Sequence, residues 1–398
     1  MTLLDAAERF ASLDRSQVVM DAGRCLHTRG QFSECAACYE VCPAQAITVG
    51  KPPSLDTAKC ESCLACIPVC PVGAYQADDD VPDLLNCAAH VEGDSIELLC
   101  GLHPHPEIGV EGEGIGIQLR GCLAGLGSAA FLSLTALGMR HITLRTDACR
   151  ECRWAALHEQ IKAQARSAAD LLGMWARNEP VVCVEEIQQP VERSYWNAKN
   201  PPLSRRDLFR MLGRQGQVTL ARTMEKEPPP AERQPGRERR RLLGALAHLP
   251  APETFSDLPL PGFAMLEVSD ACTACGACDK GCPAGALHFE RDEEAGAFRL
   301  SFSPQTCMDC GLCEGFCAPG AIKIESAPSF KQVFGSNDPL LLQSGKLVRC
   351  KQCRIWMAER PDRNLCDLCE FRRANPFGSM ILPNNQARSP RTKKDLPA

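Results

Sequence analysis

The chain has 398 residues, of which 44% are hydrophobic and 26 are cysteine, and its formal net charge is −5. This length and composition predict two to four compact domains, each with a modest core. The small negative net charge gives no reason to expect nucleic acid or an anionic membrane as the main partner.

The first segment, "MTLLDAAERFASLDRSQ", mixes charges among its apolar residues, unlike a secretion signal, so a reducing cytoplasm is the expected location. The uncharged run 121–139 is long enough to raise the question of a membrane span. Its glycine and hydroxyl residues favour a glycine loop that enters a buried helix. We therefore expect no membrane span.

The segment "CESCLACIPVCP" has the spacing C-x2-C-x2-C-x3-C-P, with thiols at Cys60, Cys63, Cys66 and Cys70. Three thiolates at this spacing wrap one iron–sulfur cubane, as in bacterial ferredoxins. Zinc knuckles are the alternative interpretation, but zinc sites seldom repeat such a run. Because the fourth cysteine of a run binds the other cluster of a pair, a second run is expected upstream.

The upstream run is irregular, since "CLHTRGQFSECAACYEVCP" has Phe32 where the first cysteine belongs. Cys25 is the only thiol before it, and a nine-residue loop can return Cys25 to the vacant corner at little entropic cost. The crossing rule then predicts a first set, Cys25, Cys35, Cys38 and Cys70, and a second set, Cys42, Cys60, Cys63 and Cys66.

The segment 81–200 alternates apolar strands with helical stretches, which predicts a small parallel sheet. The expected strands are "SIELLC", "IGIQLRGC", "HITLRT" and "VVCVEE", and the expected helices cover 128–138 and 153–175. Loops after the carboxyl ends of parallel strands gather on one edge. The cysteines in those loops are therefore expected to converge on one metal site, the central set, Cys100, Cys122, Cys149 and Cys152. The alternative is that some are buried small hydrophobes, as assumed for Cys87 and Cys183.

Residues 201–262 interrupt the globular pattern with three consecutive prolines and the charged run "RQPGRERRRLL". This composition predicts a basic, proline-rich linker. It could dock on an acidic partner surface, or form a solvated tether with one amphipathic helix over residues 204–214, "SRRDLFRMLGR".

The regular cysteine spacing recurs twice between residues 263 and 330, with the proline of the last copy displaced to Pro319. The crossing rule predicts a third set, Cys272, Cys275, Cys278 and Cys317, and a fourth set, Cys282, Cys307, Cys310 and Cys313.

The C-terminal segment has two C-x-x-C knuckles, which form the knuckle set, Cys350, Cys353, Cys366 and Cys369. This spacing predicts a tetrahedral four-sulfur site. Structural zinc is the first choice and rubredoxin-like iron the second, because thiolate geometry alone does not separate them.

Three regions also resemble known families. Residues 18–80 and 263–327 resemble the dicluster bacterial-type ferredoxin domain, including its exits from helix into strand, "CPAQAITV", "CPVGAYQ", "CPAGALHF" and "CAPGAIKI". This resemblance implies a two-fold ferredoxin-like fold, a pair of [4Fe–4S] clusters in each half of the chain, and electron transfer.

Residues 90–190 resemble the small iron–sulfur subunit that passes electrons between a hydrogenase and heterodisulfide reductase. The shared order is strand, cysteine, glycine loop, helix, strand, Cys-x-x-Cys and long helix. The resemblance implies a [2Fe–2S] cluster at the central set. The segment "CRECRW" departs from the expected histidine and glycine signature, which leaves the cluster type open.

The sequence therefore predicts an α+β multi-domain protein with two dicluster ferredoxin-like domains that flank a small parallel α/β domain. The expected bounds are 1–80 for the first dicluster domain, 81–200 for the α/β domain with its cysteine-lined edge, 201–262 for the linker, 263–330 for the second dicluster domain, and 331–398 for a zinc-ribbon-like knuckle with a basic tail.

The expected function is electron relay through four [4Fe–4S] clusters, as a cytoplasmic subunit of a larger redox complex. Its expected partners are redox proteins of hydrogenase, dehydrogenase or reductase type. Two alternatives stay open: an oxidoreductase with a catalytic cluster in the central domain, and an iron–sulfur and zinc regulator that binds nucleic acid. Neither alternative has a positive catalytic or base-reading motif, so no catalytic residue is predicted.

Overall fold

The computed structural model describes residues 18–375 except 113, 176–179, 202–232, 251, 253–256, 258 and 362. Contacts divide the chain into two compact units. Of the described residues, the first unit contains 18–25, 36–201 and 236–252. The second unit contains 26–35, 233–235 and 257–375.

The dicluster segment of the first unit is built from short elements. These are β1 (Val19–Met20), α1 (Ala37–Val41), β2 (Ile47–Thr48), β3 (Ser54–Leu55), α2 (Cys66–Val69) and β4 (Tyr75–Gln76). Strand β1 pairs with β4 and β2 with β3, both antiparallel. Each helix ends at an extended cysteine, Cys42 or Cys70, because the proline that follows it disfavours helical backbone in the preceding residue.

A parallel sheet forms the centre of the first unit. Its strands are β5 (Ser95–Leu99), β7 (Ile115–Gln118), β8 (His141–Arg145), β9 (Val181–Val184) and β11 (Tyr195–Asn197), beside an antiparallel pair of β6 (Ile108–Val110) and β10 (Pro190–Glu192). The spatial order is β11-β7-β5-β8-β9, and every neighbouring pair is parallel. The four strands expected from the sequence are confirmed, whereas β11 was not predicted. The carboxyl ends of β5, β7 and β8 therefore share one edge of the sheet.

The helices of this unit pack around the sheet. They are α3 (Val81–Ala88), α4 (Ser128–Ala136), α5 (His158–Leu172) and α6 (Arg237–His248). Residues 129–135 of α4 are all buried, so the run 121–139 is a glycine loop followed by a buried helix, as expected. Among the described residues, none of the helices combines the length and apolar character needed to cross a bilayer.

Helix α6 differs from the solvated tether expected for the charged run. Arg241 is only 5% exposed, and its two Nη atoms donate to the Asp79 carboxylate over 2.9 and 2.8 Å. Glu238 accepts a hydrogen bond from the Ala129 backbone N–H at the start of α4. Residues 237–248 therefore form a packed helix. The buried Asp79 carboxylate pairs with Arg241, and the Ala129 backbone N–H pairs with Glu238. The helix expected over 204–214 lies outside the described residues.

The second unit combines a ferredoxin-like pair of strands with a larger antiparallel sheet. Its elements are β12 (Ala264–Val268), α7 (Ala277–Gly281), β13 (Leu287–Asp292), β14 (Ala297–Phe302), α8 (Leu312–Phe316), β15 (Ile322–Ser326), α9 (Phe330–Phe334), β16 (Leu340–Arg349), β17 (Trp356–Ala358) and α10 (Asp367–Ala374), with a one-turn helix at Leu26–Arg29. Strand β12 pairs with β15, and the larger sheet has the order β13-β14-β16-β17. The pairing of β14 with β16 joins the dicluster fold to the knuckle, a link that the sequence did not predict.

Candidate metal centres

The second set is brought together in the first unit. Burial raises the pKa of the Cys63 thiol to about 11, with the neighbouring Cys42 and Cys60 adding to the rise. Burial and the same neighbouring cysteines also raise the pKa of Cys66. A buried thiol keeps its proton unless a cation takes its place, which the iron of a cluster does. The donors therefore fit an iron–sulfur cluster.

Three cysteines of the first set also lie together. Burial raises the pKa of Cys38, with Cys70 and Cys25 contributing. Cys25 is buried and lies close to Cys70 as well. The fourth member, Cys35, falls in residues 26–35 of the second unit, where its carbonyl oxygen lies 2.8 Å from His27 Nε2.

The third and fourth sets each line one pocket in the second unit. In the third set, burial raises the pKa of Cys278 to about 12, and Cys272, Cys275 and Cys317 add to the rise. In the fourth set, Cys282 lies near both Cys307 and Cys310 and raises their pKa values beyond the effect of burial. The last cysteine of each run thus lies among the first three of its partner run.

The last cysteine of every run accepts the same backbone hydrogen bond. The donor is the N–H of the alanine four residues later, and the N···Sγ distances are 3.3, 3.2, 3.3 and 3.2 Å for Ala46, Ala74, Ala286 and Ala321. In three runs the turn "P-x-x-A" that follows the cysteine positions this donor, and in the last run the segment "APGA" does so. A hydrogen bond to sulfur favours the thiolate form and tunes the reduction potential of a bound cluster.

Comparison with known families supports this assignment. Residues 31–74 and 271–321 both match the family described as the 4Fe–4S dicluster domain. The chain therefore contains ferredoxin-like dicluster domains in two segments, and these with the cysteine sets support an iron–sulfur electron-transfer protein. A comparison with curated proteins found no match.

The central set converges at the edge of the parallel sheet. Cys100 follows β5, Cys122 follows β7, and Cys149 and Cys152 follow β8. All four line one pocket, together with His103 and Trp154. Burial raises the pKa of Cys149 to about 12, and Cys100 and Cys152 add to the rise.

A buried ionic network lies beside this cavity, and sequence reasoning missed it. Arg145 is 1% exposed, and its guanidinium lies 3.2 Å from Glu97 Oε2 and 2.9 Å from both Asp147 oxygens. His103 Nε2 lies 3.3 Å from Asp147 Oδ2. Burial alone would raise the pKa of Asp147, but the donors His103 and Arg145 hold it well below its usual range. The only sequence signal was a charge inside each of two apolar strands.

Another missed residue, Asp80, fixes the loop that carries Cys122. Asp80 is 4% exposed and accepts hydrogen bonds from Arg120 Nε over 3.0 Å and from the Gly121 backbone N–H over 2.9 Å. A Cβ at Gly121 would lie 3.1 Å from the same carboxylate, so any other residue there would have to push the carboxylate away by a few tenths of an ångström. The loop before Cys122 is therefore held by a buried charge.

The knuckle set is much tighter than the others. Its four Sγ atoms all lie within 4.8 Å of one another, and Cys353 Sγ is 3.6 Å from Cys366 Sγ. Four thiolates about 2.3 Å from one zinc ion would stand about 3.8 Å apart. Backbone N–H donors of Cys353 and Cys366 lower the pKa of Cys350 to about 6, which favours its metal-binding thiolate form.

Elsewhere in the part of the chain that the structure describes, no group of three or more histidine, cysteine or acidic ligand atoms is this compact. The knuckle set therefore has the dimensions of a single-ion site. The dicluster and central sets are wider, as expected for thiolates that are shared among the several iron atoms of a cluster.

Proposed function

We propose that this protein relays electrons through four [4Fe–4S] clusters, held by the first to fourth sets, and through a fifth iron–sulfur centre at the central set. The main observation in support of the fifth centre is the contrast in sulfur spacing between the central set and the knuckle set. A single zinc ion requires sulfurs as close as those of the knuckle, whereas the central thiols, all among the described residues, line one pocket without lying that close together.

As in the third and fourth sets, all four central thiols line a single pocket. Four thiolates can hold either a [2Fe–2S] or a [4Fe–4S] cluster. The resemblance of residues 90–190 to the small hydrogenase-linked subunit favours [2Fe–2S]. A bound cluster would supply one-electron redox chemistry, while the chain supplies thiolates, backbone N–H donors and burial that set its potential.

We assign structural zinc to the knuckle set, and we place the protein in a larger redox complex with hydrogenase-, dehydrogenase- or reductase-type partners. We keep the domain bounds predicted from the sequence, except that residues 237–248, expected in the linker, form α6 of the first unit. Zinc at the knuckle would cross-link β16, β17 and α10, which bring the four cysteines together, and so stabilise this end of the second unit.

Metal analysis of protein purified without oxygen tests the proposal. We expect about 16 irons per chain from the four cubanes, about two more for a central [2Fe–2S] cluster or about four more for a cubane, and about one zinc. EPR spectra of the reduced protein should contain a signal beyond those of the dicluster pairs. About 16 irons with cubane signals alone would refute the fifth centre, and fewer than about eight would refute the relay.

A further inference from the structure

The turn that carries Cys122 packs on the loop that carries Cys63 of the second set. The 3₁₀ turn Leu123–Gly125 follows Cys122 directly. A Cβ on Gly125 would lie 3.0 Å from Leu64 Cβ and 3.6 Å from the Cys63 carbonyl oxygen, so the two backbones are in close contact. The charge of Cys63 also reaches Cys122, where burial is the main cause of a raised pKa.

A second, independent contact joins the same two regions. Trp154 lines the central cavity and is only 6% exposed, and its Nε1–H donates to Glu61 Oε2 over 2.5 Å. Arg153 Nε lies 3.5 Å from the same carboxylate oxygen, and its guanidinium carbon lies 4.7 Å from the centre of the Trp154 ring. Glu61 directly follows Cys60 of the second set. The loop after β7 and the loop after β8 thus both contact residues 61–64.

Tyr75 is a neighbour of the first set. Tyr75 is 3% exposed, and besides burial its pKa is raised by Cys38 and Cys70 of the first set and by Cys66 of the second. Tyr75 therefore lies near thiols of both the first and second sets, whereas the contacts with the central loops come from residues 61–64, next to the second set.

We infer that the central centre exchanges electrons directly with the cluster of the second set. In this inference, the Trp154–Glu61 contact holds the ligand loop of the central set close to the ligand loop of the second set. This inference rests on the proposed fifth centre. In each exchange one centre loses an electron and is oxidised while its neighbour gains that electron and is reduced, and a redox partner protein supplies or removes it. Close contact favours this pair because electron transfer slows steeply with distance.

EPR of the full-length reduced protein tests the pairing, because two nearby paramagnetic clusters split or broaden each other's signals. The matched variants are Cys66→Ser and Cys38→Ser. Each changes the third cysteine of its run, but Cys66 belongs to the second set and Cys38 to the first. We expect Cys66→Ser to abolish the splitting of the central signal and Cys38→Ser to leave it. Loss of the splitting in Cys38→Ser alone would overturn the inference.

A second pair of variants keeps the test independent of cluster loss. Trp154→Phe keeps an aromatic ring but removes the donor to Glu61, so the splitting should shrink. Trp175→Phe is the matched control, because Trp175 Nε1 donates instead to the Pro250 carbonyl oxygen over 2.7 Å, and the splitting should be unchanged. Equal splitting in both variants would overturn the role of Trp154.

Iron analysis of the same samples separates the two proposals. If the iron count shows no centre beyond the four cubanes, the proposed fifth centre fails, and the inference fails with it. If the count includes the central centre but its signal couples to the first set, the inference fails and the proposed function stands.

Discussion

The central set and the knuckle set each consist of four thiols, yet their scaffolds make them different sites. The central thiols come from three loops at the edge of a parallel sheet, beside buried charges, and line one pocket without standing as close together as the knuckle thiols. The knuckle thiols come from two C-x-x-C turns and stand within 4.8 Å of one another. The comparison teaches that the scaffold decides, through sulfur spacing, whether four cysteines suit a cluster or a single ion.

The largest expected effect is at the knuckle, where the proposed zinc would supply much of the local folding free energy. Cys369→Ser should reduce zinc from about one per chain to near zero and leave the iron content unchanged. Hydrogen exchange should then show lost protection in β16, β17 and α10. Loss of iron instead of zinc would favour the rubredoxin-like alternative.

At the central set, Cys149→Ser should lower the iron content by about two atoms if the centre is [2Fe–2S] and by about four if it is [4Fe–4S]. Zinc should be unaffected, because the knuckle is a separate set of ligands. The matched control is Cys87→Ala, since Cys87 is fully buried in α3 and belongs to none of the six sets. Iron content equal to that of the unaltered chain would contradict the central assignment.

The ionic network should matter for stability as well as for the site. Arg145→Met leaves Glu97 with Arg193 but removes the guanidinium from Asp147, and breaking a buried pair costs about 3–5 kcal/mol. Denaturant-induced unfolding measures this loss. The control is Arg140→Met, because Arg140 is 72% exposed beside Asp94 and should change the free energy of unfolding by less than about 0.5 kcal/mol. A similar loss in both variants would refute the role of burial.

The same variant has a pH signature. The folded-state pKa of Asp147 lies below its unfolded value of about 3.9, so its contribution is present above that pH and is lost as the pH falls through the folded value. Arg145→Met should therefore weaken the dependence of stability on pH below about 4. An unchanged pH profile would show that the pair does not hold the carboxylate ionised.

The sequence predicted the ferredoxin segments and four strands of the sheet because both leave strong local patterns. Cysteine spacing specifies the loops around a cubane, and apolar runs specify buried parallel strands. The convergence of Cys100, Cys122, Cys149 and Cys152 followed from topology, since the loops after parallel strands share an edge.

The rest depended on contacts between distant residues. Nothing near Arg241 in the sequence indicates that Asp79 is its partner, so the sequence predicted a solvated charged segment where α6 lies. Glu61 and Trp154 are 93 residues apart, and their hydrogen bond has no periodicity to reveal it. The pairing of β14 with β16 likewise joins segments separated by α8, β15 and α9.

The smallest effect is expected at the knuckle, where the charged pairs are exposed to solvent. Arg363 Nη1 lies 2.6 Å from Asp367 Oδ1, and these side chains are 40% and 43% exposed. Because water and salt screen such pairs, Arg363→Gln should lower the free energy of unfolding by only about 0.3–0.5 kcal/mol. The midpoint of denaturant-induced zinc release, measured at low and high salt, should differ from that of the unaltered chain only at low salt. A loss as large as that of Arg145→Met, unchanged by salt, would mean that charge as well as sulfur spacing shapes the knuckle.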